Sequence, residues 1–156
     1  MVFDLPAAEQ QDSKSLVGSI AARRSVREYT NAPLSIDVLS QLLWSAQGVT
    51  GTNKKRATPS AGELYPLHLK ILVQRVSELE PGIYEYQSDN HSLNLIGERV
   101  PERAVQSLGI GDQPWLKEAA LVIAVTAKLG EAVQHFEAQP PQGERGARYV
   151  YMETGR

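Results

Sequence analysis

The chain contains no cysteine among its 156 residues. This absence excludes disulfide bonds, thiolate zinc sites and a cysteine nucleophile, and it fits a cytoplasmic protein. Long apolar runs are also lacking: the longest, AALVIAV at 119–125, is far too short to cross a bilayer and suits a buried strand. The N-terminal residues MVFDLPAAEQQD lack the basic and apolar regions of a signal peptide. We therefore expect a cytoplasmic protein that is not associated with a membrane.

The chain has no basic excess, since 16 lysines and arginines face 18 aspartates and glutamates. Nucleic-acid-binding domains usually carry such an excess, so we expect no nucleic-acid partner. Two catalytic motifs are absent as well, the GxxxxGK[ST] phosphate loop and the G-x-S-x-G hydrolase elbow. The three histidines, His68, His91 and His135, lie too far apart for metal-ligand spacing, and no metal site is predicted.

Hydrophobic periodicity predicts one α+β domain over residues 13–156, preceded by a loosely ordered N-terminus at 1–12. The clearest helix begins after Ser35, a good N-cap, and ends at Gly48. About four strands, covered by helices, would form the sheet. The other predicted elements are helices at 13–24, 101–108 and from 144, strands at 68–74, 82–87, 92–97 and 119–127, a long loop at 48–62 and a flexible connection at 130–143.

One short segment concentrates positive charge. RRSVREY, residues 23–29, places Arg23, Arg24 and Arg27 around Ser25. Arginine forks match phosphate oxygens, and a serine can add a hydroxyl or a backbone N–H. A solvated basic surface would have the same composition. The residue types alone therefore leave both a phosphate site and a plain surface open.

A second segment concentrates small residues. TPSAG, residues 58–62, brings together Pro59, Ser60, Ala61 and Gly62 without a bulky side chain. Small residues let a flat ligand approach the backbone, where peptide N–H groups can bind its heteroatoms. A plain turn into the following strand explains the same residues equally well, so these two interpretations also stay open.

Taken together, RRSVREY and the later RATPSAGELYP resemble the nitroreductase-like family of flavoproteins. GIYEYQSDNHSLNLIG and RYVYMETGR resemble its SagB-type branch, which includes the azoline oxidases of thiazole and oxazole peptide biosynthesis. The resemblance covers about residues 18–156. It implies a nitroreductase-like α+β fold with a central, mostly antiparallel sheet flanked by helices. Because the family's long central helix continues beyond the RYVYMETGR motif, it also implies an N-terminal portion of that fold, truncated at the C-terminus.

The resemblance further implies FMN bound at the interface of a homodimer. Carried over residue by residue, Arg23 and Arg24 would hold the phosphate and ribityl end, and Ser25 would add a polar contact. Arg27 would face the pyrimidine edge of the ring, where positive charge stabilises the anionic reduced flavin. In this family the segment that corresponds to Pro59, Ser60, Ala61 and Gly62 comes from the partner subunit and lines the ring.

The activity implied by the resemblance is that of an FMN-dependent oxidoreductase, in which flavin N5 rather than a side chain carries the hydride. NAD(P)H would be the donor, and a small nitroaromatic, quinone or enone the acceptor. In the azoline-oxidase version, the substrate would reduce the flavin and oxygen would reoxidise it. The alternative is a non-catalytic α+β scaffold, or a degenerate fragment, that has lost flavin binding. Retention of FMN by the purified chain separates the two hypotheses.

Overall fold

The computed structural model of the protein describes residues 1–9, 15–140 and 145–155. This part of the chain forms strands, helices and two short 3₁₀ turns, at Ala61–Glu63 and Pro114–Glu118. In chain order the strands and helices are β1 (Val2–Asp4), α1 (Leu16–Ala22), α2 (Ile36–Gln47), β2 (Val49–Thr50), β3 (Lys55–Arg56), β4 (Leu67–Val73), β5 (Gly82–Gln87), β6 (Ser92–Gly97), α3 (Glu102–Gln106), β7 (Leu121–Ala127), α4 (Leu129–Phe136) and α5 (Arg145–Glu153).

Five strands form one antiparallel sheet in the order β1-β6-β5-β4-β7, while β2 and β3 pair separately. Strands β5 and β6 make the predicted hairpin. Strand β4 pairs with β7 along its whole length, from Leu67 opposite Ala127 to Val73 opposite Leu121. The predicted α+β architecture, a mostly antiparallel sheet flanked by helices, is confirmed.

Helix α2 packs against the sheet and supplies the centre of the core. It begins after Ser35, whose hydroxyl accepts a hydrogen bond from the Val38 N–H at 3.3 Å, and it ends at Gly48, as predicted. Leu39 and Leu43 are fully buried. Burial of an aliphatic side chain of this size stabilises a fold by about 1.5–3 kcal/mol. The buried cluster consists of Ile36, Leu39, Leu43, Leu69, Ile71, Val73, Val76, Leu79, Tyr84, Tyr86 and Leu93.

The N-terminus is more ordered than predicted. We expected residues 1–12 to be loosely held, yet β1 pairs with β6, with Phe3 opposite Leu93. Phe3 and Leu5 also pack against the core cluster. A strand of three residues is stabilised by its partner strand rather than by its own sequence, so the local pattern carried no signal for it. Residues 10–12 of the predicted segment lie outside the described residues.

A cluster of hydrogen bonds around His91 connects the N-terminal segment to α2 and the sheet. The His91 Nε2 atom lies 3.0 Å from the Pro6 carbonyl oxygen and 2.8 Å from Ser40 Oγ, and its Nδ1 atom lies 2.8 Å from the Tyr86 hydroxyl. Burial raises the pKa of the Tyr86 hydroxyl to about 12. The cluster joins β5, α2 and the chain after β1 at one point.

The region expected to be a flexible connection, residues 130–143, begins with a helix. Helix α4 buries Ala132 and Phe136, which are four residues apart and share one face. Leu129, Ala132, Val133 and Phe136 follow the i, i+3, i+4, i+7 spacing of an amphipathic helix, so a local signal was present, but the polar residues around them obscured it. The prediction was therefore wrong for the first half of the region, whereas residues 141–143 lie outside the described part of the chain.

Several boundaries also differ from prediction. The predicted loop at 48–62 contains the β2–β3 pair and part of a 3₁₀ turn. The helix predicted at 13–24 is observed as α1, with residues 13 and 14 outside the described residues. Among the residues that the structure describes, no helix combines the length and apolar content needed to cross a membrane.

Candidate functional site

The arginine segment, residues 23–29, follows α1 without regular secondary structure, and every residue in it is exposed. Arg23, Arg24, Ser25 and Arg27 are therefore all accessible. The Arg24 Nη1 atom donates to the Arg23 carbonyl oxygen at 2.8 Å and to a carbonyl oxygen of the last turn of α1 at 2.9 Å. These bonds bend the Arg24 side chain back towards its own helix.

Three contacts hold the chain at and just after the C-terminal end of the arginine segment. The Arg27 guanidinium carbon lies 5.9 Å from the centroid of the Trp115 ring, a cation–π distance, and the Tyr29 ring lies 6.2 Å from the same centroid. The Arg75 Nη2 atom donates to the Thr30 carbonyl oxygen at 3.3 Å. Since Arg75 lies two residues after the end of β4, these contacts fix Arg27 near the C-terminal end of that strand.

The small-residue loop, residues 58–62, lies before the N-terminal end of β4. Pro59 and Gly62 are exposed, and Ser60 and Ala61 are half-buried. Gly62 has a φ of 64°, which favours glycine, and an added Cβ atom would lie 3.0 Å from His135 Nε2 and 3.1 Å from the Phe136 ring. The small size of Gly62 is therefore required by its backbone conformation and by the packing of α4.

A carboxylate that the sequence analysis did not single out binds this loop. Oε1 of Glu153, the last residue of α5, accepts hydrogen bonds from the Ala61 N–H at 2.9 Å and from the Ser60 hydroxyl at 3.1 Å. The Ser60 hydroxyl in turn accepts from the Tyr65 N–H at 2.9 Å. No local spacing connects residues 92 positions apart, so the pattern carried no signal for this contact.

Further polar contacts anchor the chain on both sides of the small-residue loop. The Arg56 guanidinium carbon lies 4.7 Å from the centroid of the Tyr65 ring, and its Nη1 atom donates to Gln47 Oε1 at 3.2 Å. The hydrogen bond from Lys55 to Glu63 raises the pKa of the Lys55 ammonium group. In the described part of the chain, no three histidine, aspartate or glutamate side chains cluster as candidate ligands of a metal ion.

One chain does not bring its two predicted motifs together. The small-residue loop precedes β4, whereas Arg27 and Thr30 are anchored beyond the other end of the strand. The seven residues of β4 span about 20 Å at the usual rise of a strand. Arg27 and Pro59–Gly62 of one chain are thus too far apart to contact the same end of a small ligand.

Comparisons with known proteins agree with the family resemblance of the two motifs. The model of the nitroreductase family matches residues 20–156. A predicted nitroreductase of Methanocaldococcus jannaschii is 36% identical to this chain, and the alignment covers 99% of this chain and 73% of the relative. The match includes both the arginine segment and the small-residue loop.

Solved structures share the fold. A predicted nitroreductase from Ralstonia eutropha has a TM-score of 0.74 and 24% identity, covering 99% of this chain and 66% of that one. A second from Anabaena variabilis has a TM-score of 0.77 and 26% identity, covering 99% and 31%. A chain of the E. coli microcin synthetase McbBCD complex has a TM-score of 0.65 and 21% identity, covering 97% and 59%. The predicted fold is confirmed, and the chain spans at most 66% of any of these structures.

Proposed function

Because the chain belongs to the nitroreductase family, we propose that it is a flavin-dependent oxidoreductase that binds FMN between two copies of itself. The observation that carries this proposal is the separation of the two motifs by the length of β4. A ligand that contacts both motifs can be bound only if the arginine segment comes from one copy of the chain and the small-residue loop from another.

The arginine segment fits the phosphate end of the cofactor. Arg23 and Arg24 are exposed and would bind the phosphate and ribityl end, with Ser25 adding a polar contact. Arg27 is fixed against Trp115 and would face the pyrimidine edge of the ring. A positive charge at that edge favours the anionic reduced form of a flavin.

The small-residue loop fits the flat ring. Pro59 is exposed and Ala61 is small, so a ring can approach the backbone without displacing a bulky side chain. When bound, a flavin supplies hydride transfer at its N5 atom, here between NAD(P)H or a reduced substrate and a small acceptor. The chain itself needs no nucleophile. Its residues bind the cofactor and exclude water from the ring face.

Helix α1 supports a homodimer. None of its residues is buried, although Leu16, Val17 and Ile20 form an apolar face with exposed fractions of 74%, 76% and 66%. Apolar patches of this kind on a folded chain mark protein interfaces. We propose that this face packs against a second copy and so brings the adjoining arginine segment towards the partner's small-residue loop.

The first test is retention of FMN through gel filtration, followed by its visible absorption spectrum. We expect the wild-type chain to retain FMN and Arg27→Ala to bind it roughly 10- to 100-fold more weakly, because a hydrogen bond to a charged group contributes about 1.5–3 kcal/mol. The Arg27→Ala variant should also have a lower reduction potential. Arg103→Ala, which removes an exposed arginine of α3, is the matched control. No retained flavin at excess FMN would favour the non-catalytic scaffold instead.

Mixing two defective chains tests the shared site. Arg23→Ala/Arg24→Ala removes the phosphate contacts, and Pro59→Trp blocks the ring face at an exposed position. In a mixed dimer, one of the two sites would combine the intact arginines with the intact loop. We expect each variant alone to lose FMN and the mixture to regain it. If mixing restores no binding, the site does not lie between two copies.

Finer assignments within the family stay predictions. The SagB-type branch is suggested by the motifs, whereas the microcin synthetase chain, at 21% identity, supports the fold alone. NAD(P)H as donor is tested by a screen of electron donors with the flavin-loaded protein. Oxidation of an azoline substrate with oxygen as acceptor, in place of NAD(P)H consumption, would favour the azoline-oxidase version of the reaction.

A further inference from the structure

The contact between Glu153 and the small-residue loop involves more than a single bond. One carboxylate oxygen accepts from both the Ala61 N–H and the Ser60 hydroxyl. The Ser60 hydroxyl oxygen also accepts a hydrogen bond from the Tyr65 N–H. The carboxylate is therefore linked, directly or through Ser60, to the loop residues Ser60 and Ala61 and to Tyr65, three residues after the loop. All of these atoms are partly buried, where hydrogen bonds to a charged acceptor contribute more than at a fully exposed site.

The same contact decides which polar groups the loop can offer to a ligand. Ala61 N–H and Ser60 O–H form a pair of donors that converge on one oxygen. Such a pair could otherwise donate hydrogen bonds to a carbonyl or carboxylate oxygen of a bound molecule. While Glu153 occupies it, the loop presents mainly the apolar surface of Pro59 and Ala61. A flat, apolar ring face suits that surface better than an anionic group does.

We propose that Glu153 is a positioning residue for the small-residue loop: it holds residues 60–65 in their ligand-binding conformation and occupies the donor pair that an anion would otherwise bind. The link to flavin binding rests on the proposed function, but the positioning itself does not. Helix α5 thereby positions a loop that lies far from it in the sequence through hydrogen bonds, in addition to the packing of Leu64 against the cluster that contains Val150.

The test measures amide hydrogen exchange by NMR in the absence of FMN. Glu153→Ala should raise the exchange rates of the Ala61 and Tyr65 amides at least tenfold, because one tenfold step corresponds to about 1.4 kcal/mol and the lost bonds involve a charged acceptor. Amides in the centre of β4 should keep their protection. Glu131→Gln, which alters an exposed carboxylate on α4, is the matched control and should change neither amide.

Chemical rescue separates a positioning role from general destabilisation. Truncation of Glu153 to alanine leaves the donor pair open, so acetate at high concentration should bind there and restore protection of the Ala61 amide. Chloride at the same ionic strength should not. Unchanged exchange at Ala61 and Tyr65 in Glu153→Ala would overturn the proposal. If that variant loses protection throughout, Glu153→Met, which keeps the length of the side chain but has no oxygen acceptor, takes its place: faster exchange confined to the loop supports the proposal, and unchanged exchange overturns it.

The flavin measurement follows from the same variants. We expect Glu153→Ala to bind FMN more weakly and acetate to recover part of the affinity. If loop protection depends on Glu153 but no variant binds FMN, the positioning role stands and the proposed function fails. If FMN binds equally well to wild type and Glu153→Ala although loop protection is lost, the flavin site stands and Glu153 does not position the loop for it.

Discussion

Helices α4 and α5 approach each other closely at Gly146, near the start of α5. A Cβ atom added there would lie 2.2 Å from the Ala132 carbonyl oxygen and 2.5 Å from the Val133 nitrogen. Non-bonded heavy atoms prefer separations of roughly 3.5–4.0 Å, so Gly146→Ala would push the two backbones apart by about 1 Å. The obstructing atoms belong to the backbone and cannot rotate away as a side chain would.

Two effects of opposite sign set the magnitude of this change. Alanine is favoured over glycine within a helix by about 0.8–1.0 kcal/mol. Overpacking costs about 1–3 kcal/mol, and the separation also loosens Val150 from its cluster with Leu67 and Ala132. Because the clash is with backbone, we take the upper part of the overpacking range. The expected net loss in the free energy of unfolding is about 1–2 kcal/mol.

Urea unfolding followed by tryptophan fluorescence measures this loss. Gly130→Ala is the matched control, because an added Cβ atom on this glycine of α4 would have nothing within 4 Å. We expect Gly130→Ala to leave the stability unchanged or to raise it by up to about 1 kcal/mol. Since α5 carries Glu153, the Ala61 amide should also exchange faster in Gly146→Ala. Equal stabilities of the two variants would refute the close approach of the helices.

Two further predictions concern the core. Leu43→Ala should lower the free energy of unfolding by about 2–5 kcal/mol, because Leu43 is fully buried. Leu42→Ala, at a position that is 47% exposed, should lower it by less than about 1 kcal/mol. Similar losses for the two variants in urea unfolding would contradict the observed orientation of α2. Burial raises the pKa of Tyr86 to about 12 from its ordinary 10.0, so the folded state holds the hydroxyl proton more tightly than the unfolded state does. The protonated Tyr86 hydroxyl therefore contributes its full stabilisation below pH 10, and this stabilisation is lost as the pH rises to 12. Urea unfolding between pH 9 and 12 should show a fall in stability that is smaller in Tyr86→Phe, and an identical fall would contradict the burial of this hydroxyl.

Elements with strong signals within a few residues were predictable. Ser35 and Gly48 determine both ends of α2, because an N-cap and a terminating glycine act on the adjacent backbone. The β5–β6 hairpin is observed at the predicted residues, since its alternating strands and its turn are neighbours in the sequence. The arginine segment and the small-residue loop were recognisable because their residue types, rather than their surroundings, suggest a ligand.

Elements that depend on distant partners were not predictable. Strand β1 exists because β6 pairs with it, and its three residues have little preference of their own. Helix α4 differs from β1: Ala132 and Phe136 pack against a surface that α5 partly supplies, but Leu129, Ala132, Val133 and Phe136 already have helical spacing, and the prediction missed it. The local sequence of β1 is compatible with an irregular chain, and its pairing with β6 decided the outcome.

Residue patterns alone were enough to recognise the fold class and, through a resemblance, the nitroreductase family, and they singled out residues 23–29 and 58–62 as candidate ligand-binding segments. That Arg27 and residues 59–62 lie at opposite ends of β4, and that Glu153 occupies the donor pair of the small-residue loop, follows from the three-dimensional packing. The physical reason is the same for both. Residue type and local spacing set what a segment can bind, whereas hydrogen bonding and packing depend on distances in space that no local pattern encodes.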